Sequence, residues 1–126
     1  MSTTIAGKEW IAKAIAGESV ISFDASNAHL GIGDNAAAFD EAQTDLQAVT
    51  NKFRKSMAPG YPQRSGNEIT YKIILDSDEA NFNWFEWGLF NAETEGVMFS
   101  RKVEGLGSKA TGVWSLTIKI IIDVVE

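Results

Sequence analysis

The residues of this sequence that could do chemistry are mostly carboxylates. The chain contains 17 aspartate and glutamate residues and a single histidine, His29, and it has no cysteine. Catalysis by a serine nucleophile needs a supporting histidine and a recognisable nucleophile turn, which is missing, and metal sites built on two histidines or on thiolates cannot form. A carboxylate pair for glycoside hydrolysis is compatible with the count. Most of the acids lie in predicted loops, however, so we expect no catalytic residues and no enzymatic activity.

One carboxylate has unusual neighbours. Glu86 lies within the stretch Phe82–Asn91, Phe-Asn-Trp-Phe-Glu-Trp-Gly-Leu-Phe-Asn, which is rich in aromatic residues. A carboxylate in apolar surroundings must be protonated, or it must find a cation or hydrogen-bond donors. A single carboxylate of this kind is more often part of a structural ion pair than a catalyst. We therefore predict a structural role for Glu86.

Two further motifs resemble ligand sites only superficially. Gly31 and Gly33 form a Gly-x-Gly pair, but a third glycine and a following helix are missing, so tight backbone packing or a bulge is the better interpretation. The acidic turn Asp76–Glu79 lacks the spacing of oxygen ligands found in EF-hands, so we predict a solvated loop. No cofactor and no metal site is predicted.

Length and charge restrict the class of protein. A chain of 126 residues is predicted to form one domain, residues 1–126, with a substantial hydrophobic core. The net charge of −6 argues against a nucleic-acid partner, which needs a basic surface. The apolar runs are too short to span a membrane. The start, Met1–Thr4, lacks a basic region and a long apolar run, so we expect no export by the general secretory route.

The aromatic stretch Phe82–Asn91 is predicted to be the strand that organises the domain, because aromatic residues favour a pleated surface and bury much apolar area. Strict alternation divides its side chains between two faces. One face would carry Phe82, Trp84, Glu86 and Phe90, and the other Phe85, Trp87 and Leu89. Because both faces are apolar, we expect the core to cover one of them. Another layer of the chain, or a partner subunit, would cover the other.

The segments before this strand indicate a helix and further strands. An amphipathic helix is predicted over Thr4–Ala16, capped by Thr3 or Thr4, ended by Gly17 and docked on a sheet. The segment Leu46–Met57 fits a helix or a strand. Glu68–Leu75 is predicted to be a strand that turns its odd-numbered apolar residues to one face, namely Ile69, Tyr71, Ile73 and Leu75.

The C-terminal part of the chain is predicted to be mostly strand. Val97–Val103 should return antiparallel to the aromatic strand after a hairpin loop, and Gly105–Gly112 should be a flexible link. The last predicted strand, Val113–Val125, becomes apolar on both faces toward its end, so that end should be buried or paired with another chain. Together these elements predict a mainly β fold of the α+β class, an antiparallel β-sandwich-like domain with an N-terminal helix.

Several short stretches, taken in order, resemble the N-terminal domain of phage tail-collar fibre proteins. They are Leu30–Asp34, Gln43–Leu46, Asn51–Arg54, Asn67–Leu75 and Phe82–Asn91. In that family a glycine–aspartate strand leads to a Gln-Thr-x-Leu turn, an arginine-bearing strand and a Glu-x-Gly-Leu-Phe strand. The order and spacing of the pieces are more specific than any single piece, and the pattern spans most of the chain.

The resemblance implies a virion structural protein that anchors or forms tail fibres at the baseplate or tail tip, after assembly in the host cytoplasm. It also implies an ion pair between Glu86 and Arg54, which occupy the positions of the family's acid and arginine. The fibre proteins continue into shafts and receptor-binding tips, whereas this sequence stops at Glu126. We therefore expect an attachment module, adaptor or small tail component. Its partners would be other tail proteins and copies of itself, with a trimer as the commonest arrangement.

Two other functions remain open at this point. The protein could be a head-completion, decoration or neck protein of the virion, or a carbohydrate-binding module that stacks sugars on tryptophan and tyrosine. Assembly contacts are expected on two strands. The candidates are the core or assembly aromatics Phe82, Trp84, Phe85, Trp87 and Phe90, and the interface residues Ile118, Ile120, Ile122 and Val124.

Overall fold

The structure is a computed structural model that describes residues 2–123. These residues form one α-helix and eight β-strands. In chain order the elements are β1 (Ser2–Thr3), α1 (Ile5–Ile15), β2 (His29–Gly33), β3 (Lys52–Ser56), β4 (Gln63–Ser65), β5 (Glu68–Leu75), β6 (Asn83–Phe90), β7 (Met98–Ser108) and β8 (Trp114–Ile121).

The strands form two antiparallel sheets that enclose one main core. The larger sheet has the order β1-β7-β6-β2-β3, and the smaller sheet has the order β4-β5-β8. Side chains from both sheets form a single buried apolar cluster between them. The prediction of a mainly β, antiparallel, sandwich-like domain with an N-terminal helix is therefore confirmed.

Alternation along the two long strands of the smaller sheet supplies half of this core. On β5, Tyr71, Ile73 and Leu75 are buried while Ile74 is exposed, as the sequence pattern predicts. On β8 the buried residues alternate with exposed ones in the same way; they are Leu116, Ile118 and Ile120. Each such side chain stabilises the fold by roughly 1.5–3 kcal/mol when it is fully removed from water.

The N-terminal helix has the predicted ends but buries little of its apolar face. The Thr4 hydroxyl accepts a hydrogen bond from the backbone N–H of Gly7 at 2.9 Å, which caps the first turn. Gly7 is the buried residue of the helix, and its lack of a side chain lets the helix lie against the backbone of Phe99. Gly17 follows with φ +80°, a conformation that favours glycine and ends the helix. Ile15 is 82% exposed, so the predicted apolar face is used only in part.

A β-bulge in the pairing of β6 with β7 changes which aromatic side chains share a face. The pairing register with β7 shifts between Trp84 and Glu86. Trp84 therefore packs in the core beside Trp87 and Leu89, whereas Phe85 is 38% exposed. The predicted faces, which placed Trp84 with Glu86 and Phe85 with Trp87, are wrong. Strict alternation fails where the pairing is irregular: residues 104–106 of β7 lie opposite the single residue Phe85 of β6.

Two predicted boundaries also differ from the structure. Within the ambiguous segment Leu46–Met57, residues 52–56 form β3 and residues 46–51 are irregular. The predicted flexible link Gly105–Gly112 is partly strand, since β7 continues to Ser108 and pairs there with Asn83 of β6. Pairing with the aromatic strand outweighs the low strand propensity of the glycines in this region.

Candidate functional site

The densest group of buried polar side chains lies on the outer face of β6, away from the main core. Its centre is Glu86, whose side chain is 0% exposed. The carboxylate accepts hydrogen bonds from the backbone N–H groups of Gln47 at 2.8 Å and Ala48 at 2.9 Å, and from Nε of Arg101 at 2.8 Å. Three donors, one of them cationic, replace the water that the carboxylate loses on burial. We call Glu86, Arg101 and the irregular segment of residues 35–48 the Glu86 cluster.

Arg101 completes the cluster from the neighbouring strand β7. Its side chain is also 0% exposed, and it faces the same side of the sheet as Glu86. Its guanidinium donates to the backbone oxygen of Ala37 at 3.0 Å, to Oε1 of Gln43 at 3.2 Å and to the backbone oxygen of Asn35 at 3.4 Å. Glu86 and Arg101 together therefore hydrogen-bond to both ends of the irregular segment and hold it against the sheet. This segment is the second cover of β6, and it comes from the chain itself.

The predicted partner of Glu86 is wrong. Glu86 is buried and paired with a cation as predicted, but the cation is Arg101 and not Arg54. The register explains the difference, because Arg54 lies on β3, separated from β6 by the intervening strand β2. Its guanidinium carbon lies 3.5 Å from the centre of the Phe90 ring. It also donates to the backbone oxygens of Ala92 at 3.0 Å and Glu95 at 2.9 Å, in the hairpin loop after β6.

Glycines create the space that this arrangement needs. Across the larger sheet, Arg54, Gly31, Gly88 and Arg101 lie opposite one another in a row. A Cβ atom at Gly31 would lie 2.8 Å from the Phe90 ring, and one at Gly88 would lie 3.2 Å from it. The two glycines therefore leave the space that the Phe90 ring occupies beneath Arg54. Gly31 thus lies in tight packing, but its close neighbours are side chains and not the backbone that was predicted.

Gly33 has the same function for Glu86. It lies opposite Glu86 in the β2–β6 pairing, and a Cβ atom at this position would lie 2.9 Å from the carboxylate carbon Cδ. A side chain here would displace the carboxylate from the amides of Gln47 and Ala48. The Gly-x-Gly motif thus makes room for two side chains of the neighbouring strand, Phe90 and Glu86.

Asp45 connects the irregular segment to β3. Burial alone would raise the pKa of Asp45, but the Leu46 N–H, together with Lys52 and Arg54, outweighs burial and holds this pKa below its usual range. Its carboxylate lies 3.2 Å from Nζ of Lys52 and 3.4 Å from a guanidinium nitrogen of Arg54. The carboxylate is ionised at neutral pH and strengthens the attachment of the segment.

The acidic turn after β5 is held by lysines. Glu79 accepts two hydrogen bonds from Nζ of Lys55, at 2.8 and 2.9 Å, and this pairing lowers the pKa of Glu79 and raises that of Lys55. Lys109, which is 1% exposed, donates to the backbone oxygen of Asp76 at 2.8 Å and to Oδ1 of Asn81 at 2.6 Å. Within residues 2–123 there is no group of three or more His, Asp or Glu side chains arranged to hold a metal ion.

The predicted assembly residues are distributed between core and surface. Trp84, Trp87 and Phe90 are buried within the domain, Phe82 is half-buried and Phe85 is partly exposed. Of the predicted interface residues, Ile118 and Ile120 belong to the main core, because the larger sheet covers their face of β8. The two side chains are therefore not surface contacts, and what these residues present to the outside is the backbone edge of β8, which pairs with no strand among residues 2–123. Ile122 is 41% exposed, and Val124 lies outside the described residues.

Arg101 and the amides of Gln47 and Ala48, which complete the cluster, were not predicted from the sequence, and neither was Lys109 at the acidic turn. For Arg101 a signal existed: a hairpin between the aromatic strand and its return strand places Arg101 opposite Gly88, close to Glu86. The amides carried no signal, because any residue type supplies a backbone N–H.

The cluster can position chain segments, but it offers no reactive group. Both oxygens of Glu86 are engaged by donors and neither is exposed to solvent. The Nδ1 atom of His29 lies 2.9 Å from the backbone oxygen of Asn27, and the Glu86 cluster does not include this ring.

Comparison with known proteins gives no family assignment. No protein-family model matches the sequence, and no curated protein is significantly similar to it. None of the helical structure found in residues 2–123 is both long and apolar enough to cross a membrane.

Proposed function

We propose that this protein is a structural component of a bacteriophage tail, an attachment module or adaptor of the fibre, baseplate or tail tip that works through protein–protein contacts. The proposal rests on the resemblance to tail-collar fibre proteins described above. It is supported by the sandwich-like fold.

One observation carries the proposal: the separate stretches that resemble the fibre family meet in space. Gly33 and Glu86 come from two of these stretches and are in direct contact. Leu46, from a third, packs with Phe90 from the aromatic stretch, and Arg54 from a fourth lies over the same ring. Stretches that hold one another in the interior specify a fold, and they leave the outer surface to vary with its partners. This is what an attachment module requires.

The aromatic residues favour assembly over sugar binding. A sugar-stacking platform needs exposed ring faces, whereas Trp84, Trp87 and Tyr71 are each at most 5% exposed. The Trp114 ring packs edge-on against Trp84, with centroids 5.0 Å apart. Three of the six tryptophan and tyrosine side chains that a carbohydrate module could use therefore lie in the core of this domain.

The test is the position of the protein in the particle. Particles from the host that carries the gene are purified on a density gradient, heads and tails are separated, and the peptides of this chain are quantified by mass spectrometry in each fraction. We expect enrichment in the tail fraction. Deletion of the gene should give particles whose tails lack a fibre, baseplate or tip component, and the wild-type gene supplied in trans should restore it. Enrichment in heads would indicate a decoration or neck protein, and absence from all fractions would contradict the proposal.

A further inference from the structure

The edge of the smaller sheet at β8 differs from the other sheet edges. β8 pairs with β5 along all eight of its residues, and no strand within residues 2–123 pairs with its other side. The other edge strands are short or charged: β1 has two residues, β4 has three, and β3 has five with three basic side chains. These are the usual means by which proteins keep sheet edges unpaired. β8 contains no proline and a single charged residue, Lys119.

A second unpaired edge lies on the same flank of the sandwich. β1 covers only Ser100 and Arg101 of β7, so the outer edge of residues 102–108 has no partner strand among the described residues. A groove of about 560 Å³ runs between this edge and β8. Apolar residues from both sheets line it, including Trp87, Leu106, Leu116 and Ile118. We call the two edges and this groove the open flank.

We propose that the open flank pairs with the open flank of a second copy of this chain, β8 against β8 in antiparallel orientation. A single extended peptide could pair with only one of the two open edges. A second copy of the chain offers a partner for both of them. The three-stranded sheet would then continue through the contact as six strands, with the β7 edges side by side. A two-fold contact of this kind is self-complementary by symmetry. The inference rests on the proposed function in one respect, because it names the partner of an assembly contact.

The charges on the flank permit self-association. The chain carries a net charge of −6, so two copies repel each other in general. On the open flank, however, the charged groups are Lys102, Lys119 and Glu104, and Lys102 lies 2.7 Å from Glu104. The flank is therefore not acidic. In an antiparallel β8–β8 pair, Ile118 or Thr117 can lie opposite the same residue of the other copy. In either register the core-facing side chains of both copies lie on the same face of the joined sheet. The two Lys119 side chains are then not opposite each other.

The size of the flank predicts a weak contact. A strand of eight residues is about 26 Å long, and two packed sheets with their side chains are about 20 Å thick. The flank therefore covers roughly 500 Å² on each copy, or about 1,000 Å² in total, which is the lower limit for a specific interface. We expect a dimer that dissociates on dilution and is strengthened where many copies are held together in a particle.

The purified full chain can test this contact directly. Sedimentation velocity over about a hundredfold range of concentration, up to the near-millimolar levels at which weak interfaces form, should show conversion of monomer to dimer. Thr117 is exposed on β8, and Thr117→Lys places a second positive charge opposite Lys119 or opposite its own copy. Like charges across a strand pair are unfavourable, so the Kd should rise by about two- to thirtyfold.

The matched control is Gln63→Lys, which makes the same charge change on the opposite edge of the same sheet. It should leave the Kd unchanged, and the melting temperature of each variant should confirm that it is folded. A chain that stays monomeric throughout, or a dimer or trimer weakened by Gln63→Lys but not by Thr117→Lys, would overturn the inference. The outcome is separable from the proposed function, because a tail protein can be found in tails without this dimer, and a dimer can form in a protein absent from tails.

Discussion

The two faces of β6 are both buried, yet they are stabilised in different ways. The inner face places Trp84, Trp87 and Leu89 in the apolar core between the sheets. On the outer face, Glu86 and Phe90 contact the irregular segment of residues 35–48 or the arginines beside it. The inner face depends on apolar area and close packing, whereas the outer face depends on directional bonds to a segment without regular secondary structure. One strand can therefore organise a sheet core and a loop at the same time.

The largest effect is expected on the inner face. Trp84→Ala or Trp87→Ala should each lower the free energy of unfolding by roughly 3–5 kcal/mol, because each removes a large buried ring and leaves a cavity. Urea denaturation followed by circular dichroism measures this change.

Phe85→Ala provides the control on the same strand, since Phe85 is 38% exposed at the bulge. Phe85→Ala should lower the free energy of unfolding much less than either tryptophan substitution. If Phe85→Ala and Trp84→Ala lowered the free energy of unfolding equally, the bulge would not place Trp84 in the core and Phe85 at the surface.

On the outer face, Glu86→Gln should cost roughly 3–5 kcal/mol, because it leaves Arg101 buried without its counter-charge. The double variant Glu86→Gln, Arg101→Met should lose less than the sum of the two single variants, since the two groups act as a pair. Chemical denaturation of all four proteins gives the coupling free energy. Glu93→Gln, on an exposed loop, is the control and should be neutral. A parent-like melting curve for Glu86→Gln would contradict the importance of the cluster.

A smaller loss is expected where backbone space is needed. Gly33→Ala should destabilise the protein by roughly 1–3 kcal/mol, because its methyl group overlaps the Glu86 carboxylate. Gly105→Ala is the matched control, since a Cβ atom there would meet nothing within 4 Å. The two thermal midpoints should differ clearly. If Gly33→Ala melts like Gly105→Ala, the carboxylate has room to move and the packing argument fails.

The smallest effect concerns a polar group at the inner core. The Tyr71 hydroxyl donates to the backbone oxygen of Phe23 at 3.0 Å, so Tyr71→Phe should cost about 1 kcal/mol at neutral pH. Burial, and then the nearby charge of Asp24, raises the pKa of Tyr71 to about 12. The neutral form is thus favoured in the folded state.

The sign of the pH effect follows from this raised pKa. The contribution of Tyr71 to stability is complete below an unfolded-state pKa of about 10 and is lost as the pH rises to about 12. The parent should lose stability across this interval, and Tyr71→Phe should lose less. Tyr61→Phe, which changes the other tyrosine, is the matched control. If Tyr71→Phe lost as much stability as the parent over this pH interval, the loss would come from other groups.

The core side chains of β5 could be predicted from sequence, whereas much of β6 and β8 could not. Alternation along β5 identified its core residues because a pleated strand presents every second side chain to the same side. On β8, Ile118 and Ile120 were predicted to form an interface, but their side chains lie in the core. The position of Trp84 was mispredicted, since a bulge depends on pairing with β7 and not on β6 alone. For Glu86 the need for a cation was predictable from its surroundings. The choice of Arg101 over Arg54 depended on the order of strands in the sheet, which local patterns do not encode.

The bonds between Glu86 and the amides of Gln47 and Ala48 have a consequence for the time scale of local opening. Backbone N–H groups in irregular segments usually exchange with deuterium quickly, whereas those that need cooperative opening exchange slowly. The N–H groups of Gln47 and Ala48 donate hydrogen bonds to the buried carboxylate of Glu86, while the neighbouring residues Val49 and Thr50 are exposed. Exchange at the first two should therefore require the separation of the segment from the sheet. Slow exchange at these two residues, inside a loop, would therefore report how rarely the segment separates from the sheet in the native protein.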